Sequence, residues 1–121
     1  MSWGELLIFA VATSLAGGLG SVVRLFLSRW DSTLPWGILL ANSAASFFGA
    51  YFSLTASPLF ASIMVSGVMG GLSTFSSWAA ATGEFWKRKQ RGRAFGNGLL
   101  NLVIPMLSAM LGVTVVALLV N

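Results

Sequence analysis

The sequence predicts an all-α membrane protein in which four transmembrane helices form one domain. The first observation is composition: of the 121 residues, 56% are hydrophobic and 8% are charged, and the mean hydropathy is +0.85. A soluble domain carries about 25% charged residues, so this chain lacks the polar groups that would cover a surface facing water. The second observation is that long apolar runs follow one another almost without interruption. A helix that crosses about 30 Å of hydrocarbon needs roughly 20 such residues, whereas a β-barrel would show short alternating strands.

The four predicted helices are separated by short connectors. They are expected at about residues 5–27, 36–54, 59–86 and 95–120. Asp31 and Pro35 interrupt the first connector, Pro58 ends the second, and a basic segment forms the third. Proline and small polar residues are typical of turns. We therefore expect residues 1–121 to form a single transmembrane domain.

The basic residues all fall on one side of this four-helix arrangement. Arg24 and Arg29 lie at the end of the first helix, and the other five of the seven bases lie between Lys87 and Arg93. Because basic loops stay in the cytoplasm, we expect a cell-membrane protein with cytoplasmic basic loops and both termini outside. A nucleic-acid patch or an anionic-lipid site is the alternative interpretation of the 87–93 segment. The interpretation of the 87–93 segment as a signal of membrane topology is favoured. The lipid bilayer is therefore expected as a partner, and nucleic acid is not.

The residue types that are missing exclude several functions. The chain has no cysteine and no histidine, which excludes disulfides, thiol catalysis and the usual transition-metal sites. Its three acids, Glu5, Asp31 and Glu84, lie near helix ends, whereas proton-coupled transport normally needs a deep titratable group. No base is available to activate a nucleophile, so an enzyme is not expected. The remaining function is a passive route for a small ion. Four helices are too few to enclose such a route, so an oligomer is needed to build a pore.

Two features of the first two helices have open interpretations. The glycines from Gly17 to Gly20 favour close helix packing, and Arg24 either extends its charge to the interface or attracts anions to a pore mouth. Asn42 lies well inside the second helix, where an unpaired amide would be costly. It either hydrogen-bonds another helix or faces a polar pathway.

The third and fourth helices carry the most unusual residues. From Gly67 to Trp78 the third helix is rich in glycine and hydroxyl residues, which weaken helices. This segment is either a small-residue packing face or a break whose carbonyls hold a cation. Phe75 and Trp78 are three residues apart and share a face. In the fourth helix, Asn97 and Asn101 also share a face, and proline at position 105 frees a backbone carbonyl.

These motifs together resemble the Fluc (CrcB) family of fluoride channels. The matching residues are Gly17-x-x-Gly20-Ser21-x-x-Arg24, Trp36-Gly37-x-x-x-Ala41-Asn42 and Gly67-x-x-Gly70-Gly71-Leu72-Ser73-Thr74-Phe75-Ser76. The resemblance covers nearly the whole chain. It implies a passive channel that exports toxic fluoride, built as an antiparallel, dual-topology dimer whose third helices are broken at their glycine-rich centres. It also implies one structural sodium ion at the dimer axis.

The resemblance further implies roles for individual residues. The backbone carbonyls of Gly70 and Ser73 correspond to the sodium ligands, and Arg24 corresponds to a pore-mouth or anchoring position. The implied fluoride pathway consists of Asn42, Thr74, Phe75, Ser77, Trp78, Asn97 and Asn101.

Three departures from the family pattern bear on whether the chain conducts. Trp78 stands where a second phenylalanine is usual, Ile38 replaces a frequent threonine, and Pro105 replaces a small hydroxyl residue. These departures favour an alternative in which the chain is a non-conducting or half-active partner subunit. A small multidrug exporter is a further alternative, but it would need a deep carboxylate in the first helix.

The charge distribution adds an expectation about the partner subunit. All seven bases lie on one face, and a bias of this size fixes one orientation in the membrane. An antiparallel dimer would then need a paralogue of opposite charge bias. A homodimer is still possible when the protein is overproduced and solubilised.

Overall fold

The computed structural model describes residues 1–121 and is entirely helical. Its four spans are Trp3–Leu27, Trp36–Thr55, Pro58–Lys87 and Arg91–Val120, and each is long and apolar enough to cross a membrane. The predicted all-α architecture with four membrane helices is therefore confirmed, and the chain is a multi-pass membrane protein. We label the first two spans α1 and α2 and the last span α6.

Two helices begin earlier than the sequence indicates. Helix α1 begins at Trp3 because Ser2 caps it: the Glu5 N–H donates to Ser2 Oγ over 3.2 Å, and the Ser2 N–H donates to Glu5 Oε2 over 2.6 Å. Helix α6 begins at Arg91, after a turn in which Lys89 has a φ of 59°. Arginine is a good helix former, so part of the basic segment is helix rather than connector.

The third span is a succession of different helical segments. It consists of α3 (Pro58–Ser62), the π-helical segment π1 (Ile63–Met69), α4 (Gly70–Leu72) and α5 (Phe75–Lys87). Between α4 and α5 the backbone is extended, with φ and ψ of −74° and 152° at Ser73 and of −151° and 118° at Thr74. We call these two residues the interruption.

Glycines bring α1 into direct backbone contact with the third span. A Cβ atom at Gly20 would overlap the Val68 carbonyl oxygen, and one at Gly71 would overlap the Gly17 carbonyl oxygen. A Cβ at Gly67 would lie 2.7 Å from the Ala16 Cβ atom. Small residues that allow such approach are typical of membrane helix interfaces. This packing holds the first half of the third span, ahead of the interruption, against α1.

The interior is small and partly polar, whereas the outside is apolar. Only 14 of 121 residues are buried, and three of them are the polar residues Thr74, Asn97 and Asn101. Large apolar side chains are mostly exposed, including Leu15 and Leu118, as expected where lipid rather than water is the solvent. The buried polar residues therefore mark the part of the interior where hydrogen bonding, not apolar packing, determines the arrangement.

Candidate functional site

A cavity of about 270 Å³ lies at the interruption of the third span. We call it the break cavity. It brings together residues of α2, the interruption, α5 and α6, which are Asn42, Ser46, Ser73, Thr74, Phe75, Trp78, Asn101 and Pro105. Side chains from three spans thus meet at the one place in the membrane-spanning region where the backbone leaves helical geometry.

Asn42 clamps the extended backbone at this point. The Thr74 N–H donates to Asn42 Oδ1 over 2.7 Å, and Asn42 Nδ2 donates to the Thr74 carbonyl oxygen over 3.2 Å. Backbone groups at membrane depth need protein partners because lipid offers none. The Asn42 carboxamide supplies both partners to Thr74, so the extended backbone at this residue is satisfied by the protein.

The interruption leaves several backbone carbonyls of the third span without their helical donors, and those of Gly70 and Ser73 are two of them. In a continuous α-helix the Thr74 N–H would donate to Gly70 and the Ser77 N–H to Ser73. Instead the Thr74 N–H donates to Asn42, and the Ser77 N–H donates to Thr74 Oγ1 over 3.1 Å. The carbonyls of Gly70 and Ser73 therefore lack their helical donors, and the Ser73 carbonyl accepts from Arg24 instead.

Arg24 lies next to one of these carbonyls. Its Nη1 atom is 3.5 Å from the Ser73 carbonyl oxygen, and the Arg24 side chain is partly buried. No group of three or more carboxylate, histidine or cysteine side chains that could hold a metal ion is present. The oxygens at the interruption are instead those of the backbone, of hydroxyl groups and of carboxamides.

Three asparagine side chains form a continuous line of hydrogen bonds from the break cavity along α6. Asn42 Nδ2 donates to Asn101 Oδ1 over 3.1 Å, and Asn101 Nδ2 donates to Asn97 Oδ1 over 3.2 Å. Asn97 Nδ2 then donates to Thr82 Oγ1 over 2.9 Å. We call this line the amide chain. Its members are partly or fully buried, so it forms a polar wall within the bundle.

The aromatic pair Phe75 and Trp78 forms another side of the break cavity. The two rings are T-shaped, with centroids 5.0 Å apart and an interplanar angle of 76°. The Trp78 indole N–H donates to the Asn97 carbonyl oxygen over 3.2 Å, which fixes that ring against α6. Phe75 has no comparable anchor and is 73% exposed, so its ring faces outwards from the single chain.

The side chains that line the break cavity are uncharged, and the Arg24 guanidinium lies next to the Ser73 carbonyl. None of its lining residues is ionisable. The 13-residue helix α5 starts at Phe75 with Thr74 as its N-cap, and the N-terminus of a helix carries a partial positive charge. The break cavity therefore lies at the partially positive end of α5.

The charged residues meet elsewhere, at one end of the bundle. A second cavity of about 370 Å³ is lined by Asp31 of the first connector together with Glu84, Arg88 and Arg93. Arg88 Nε lies 2.8 Å from Glu84 Oε1 in an exposed ion pair. The first and third connectors are therefore neighbours in space.

The structure brings most of the predicted pathway residues together. Asn42, Thr74, Phe75, Trp78 and Asn101 line the break cavity. Asn97 joins it through the amide chain, and Ser77 contributes its backbone N–H to Thr74.

Two residues of the site were not predicted. Ser46 lies one turn after Asn42, and Thr82 lies one turn after Trp78. Residues four apart share a helix face, so spacing from the predicted positions is the signal that could have found them.

The chain is similar to known membrane proteins over most of its length. The family model described as CrcB-like protein, Camphor Resistance (CrcB), matches residues 11–113. A protein named fluoride-specific ion channel FluC from Opitutus terrae is 33% identical over 112 residues, covering 82% of this chain and 85% of the relative. The FluC protein of Agrobacterium fabrum is 34% identical over 116 residues, covering 87% and 91%. Such relatives are ion channels rather than enzymes, and the chain belongs to the CrcB family.

Proposed function

We propose that this chain is a subunit of a passive, fluoride-selective channel that exports cytoplasmic fluoride and so relieves its toxicity. The observation that carries the proposal is the break cavity, a polar site at membrane depth without an ionisable lining residue. The names of the curated relatives support the choice of ion. The lack of a deep carboxylate or histidine supports uncoupled movement.

The chemistry of the break cavity suits fluoride. Fluoride is small and strongly hydrated, so a selective pathway must replace its water with close and rigid partners. The positive edge of the Phe75 ring, the hydroxyl groups near the interruption and the N-terminus of α5 are such partners. The amide chain keeps the wall rigid because its members donate to one another.

The proposed pathway runs from the break cavity along the amide chain. Phe75 and Trp78 are its aromatic residues, and Asn42 holds the interruption open. Thr74 and Ser77 lie at the start of α5, where the Thr74 hydroxyl accepts from the Ser77 N–H, and Asn97 and Asn101 form the wall on α6. Arg24 lies 3.5 Å from the Ser73 carbonyl oxygen, and its positive charge attracts anions towards this region.

We also propose a structural sodium ion at the axis of a dimer, held by the carbonyls of Gly70 and Ser73. The residues fit this ion because Asn42 and the Thr74 hydroxyl take the N–H groups that would donate to these carbonyls in a continuous helix, and hard cations prefer oxygen ligands. Gly70 and Ser73 of one chain supply two ligands, and a second subunit would complete the site. Bound there, sodium supplies a positive charge close to the anion pathway.

The second subunit is proposed to be antiparallel. The exposed ring of Phe75 would then meet the partner and close the pathway. The basic connectors are proposed to be cytoplasmic and the termini outside, in the cell membrane. Because all seven bases lie at one end, the partner is proposed to be a paralogue of opposite charge bias, with a homodimer as the overproduced form.

Ion efflux from liposomes tests the proposed function. Purified protein is reconstituted into vesicles loaded with potassium fluoride or potassium chloride, and valinomycin starts the release. We expect rapid fluoride release, little chloride release and no requirement for a proton gradient. Comparable chloride release, or release only with a proton gradient, would contradict the proposal.

A further inference from the structure

We infer that Thr82 is a positioning residue for the proposed fluoride pathway, because its hydroxyl terminates the amide chain and so holds Asn97 and, through Asn101, Asn42 in position. This inference rests on the proposed function. Thr82 lies outside the break cavity and is eight positions from Thr74, which is about 12 Å along a helix. Its influence on the interruption would act entirely through hydrogen bonds.

The direction of the amide chain is set at the interruption. A backbone N–H can only donate, so the Thr74 N–H requires the oxygen of the Asn42 carboxamide, 2.7 Å away. Asn42 Nδ2 must then face Asn101, whose Oδ1 atom accepts the hydrogen bond. The Asn101 Nδ2 atom in turn faces Asn97 Oδ1. Each amide therefore has one permitted orientation.

Thr82 is the acceptor at the other end. Asn97 Nδ2 donates to Thr82 Oγ1 over 2.9 Å, and the Thr82 hydroxyl donates to the Trp78 carbonyl oxygen over 2.8 Å. The hydroxyl suits this position because it can accept and donate at once. Without it, the Asn97 N–H loses its acceptor, and Asn97 is only 2% exposed. Rotating the Asn97 carboxamide by 180° would place its NH₂ group against that of Asn101, so the rotation would not restore the lost hydrogen bond.

Asn97 is also fixed by its backbone. Its carbonyl oxygen accepts from the Trp78 indole N–H over 3.2 Å and from Asn101 Nδ2 over 3.2 Å. Trp78 and Thr82 lie one turn apart on α5, and both contact Asn97. Helix α5 is thus attached to α6 by two hydrogen bonds at Asn97. Of the two, the bond that Thr82 accepts depends on a side chain that can be exchanged for one of equal shape.

The test compares Thr82→Val, which keeps the shape but removes the hydroxyl, with Thr82→Ser, which keeps the hydroxyl. Thr114→Val is the matched control because the Thr114 hydroxyl donates only to Met110 of its own helix. Fluoride efflux per reconstituted protein is measured for each. We expect at least a tenfold fall for Thr82→Val, and less than a threefold change for Thr82→Ser and Thr114→Val.

A second measurement follows the amides directly. The chain contains four asparagines, so ¹⁵N-asparagine labelling gives four side-chain NH₂ signals by NMR. We expect Thr82→Val to shift the Asn42 signals while Thr82→Ser leaves them in place, with Asn121 unchanged throughout. If Thr82→Val does not assemble, Thr82→Cys makes the same comparison, because a thiol is a weak hydrogen-bonding group.

The outcomes separate this inference from the proposed function. Unmoved Asn42 signals, equal effects of the valine and serine variants, or moved signals with normal efflux would each overturn the positioning role. If the unaltered protein releases no fluoride, the proposed function fails and the positioning role in a fluoride pathway fails with it. Moved Asn42 signals in that case would still identify the amide chain as a structural unit.

Discussion

Replacing the Asn42 carboxamide with a carboxylate should block the proposed pathway while the helices stay in place. The Asn42→Asp side chain keeps an oxygen for the Thr74 N–H, which is the shortest bond of the clamp at 2.7 Å. Its second oxygen takes the place of Nδ2. In the unaltered protein, Nδ2 donates to the Thr74 carbonyl over 3.2 Å and to Asn101 Oδ1 over 3.1 Å. Three oxygens would then face one another without a hydrogen between them.

The size of the effect follows from the two changes. Losing two hydrogen bonds costs about 1–3 kcal/mol of stability, at roughly 0.5–1.5 kcal/mol each. A fluoride ion about 4 Å from an ionised carboxylate is repelled by about 4 kcal/mol at an effective dielectric constant of about 20. Because about 1.4 kcal/mol corresponds to a factor of ten in rate, we expect fluoride efflux to fall by roughly two to three orders of magnitude.

The assay is fluoride efflux from liposomes, normalised to the amount of folded protein found by size-exclusion chromatography. Asn121→Asp is the matched control, because the Asn121 amide donates only to Ala117 of its own helix and lies at the chain end. Normal efflux by a well-folded Asn42→Asp variant would refute the placement of the pathway at the clamp. A loss equally large in Asn121→Asp would show that the effect is not local.

Three further predictions concern the aromatic pair, the helix contacts and the partner. Phe75→Ile should lower fluoride efflux at least tenfold by removing the ring edge, whereas Phe95→Ile, at another exposed ring, should not; equal effects in efflux measurements would count against the assignment. Gly20→Ala should destabilise the protein by about 1–3 kcal/mol or more by overpacking, because the added Cβ would overlap the Val68 carbonyl oxygen. Gly18→Ala is the control, because no heavy atom lies within 4 Å of a Cβ added at Gly18. Equal thermal denaturation temperatures of the two variants would disprove the contact at Gly20. Expressed alone at low level, the chain should place a C-terminal tag on the outer side only; equal labelling of both sides together with restored fluoride resistance would rule out the need for a paralogue.

The architecture could be predicted because it follows from local composition. Apolar length gives the four spans, and the four-residue spacing of Asn97 and Asn101 places both amides on one face. The start of α6 at Arg91 could not be predicted in the same way, because basic residues are compatible with both helix and connector. The local signal there is ambiguous, and the turn at Lys89 decides it.

The detailed arrangement of the site depends on contacts that are distant in sequence. The glycines indicate a weak third helix, but the extended residues are Ser73 and Thr74, which follow the glycines. They leave the helix where Asn42, 32 positions earlier, offers a donor and an acceptor. Spacing alone could not show this partnership, nor that Thr82 would terminate the amide chain.

Reversal potential is the measurement that tests the central claim most directly. The protein is incorporated into a planar bilayer with a tenfold fluoride gradient and with equal chloride on both sides, and the potential of zero current is determined. A passive fluoride-selective channel predicts a reversal potential of about 59 mV in magnitude, with the sign set by the fluoride gradient, since a tenfold gradient of a singly charged ion corresponds to that value. A reversal potential near zero, or one that follows an imposed chloride or proton gradient, would contradict the claim.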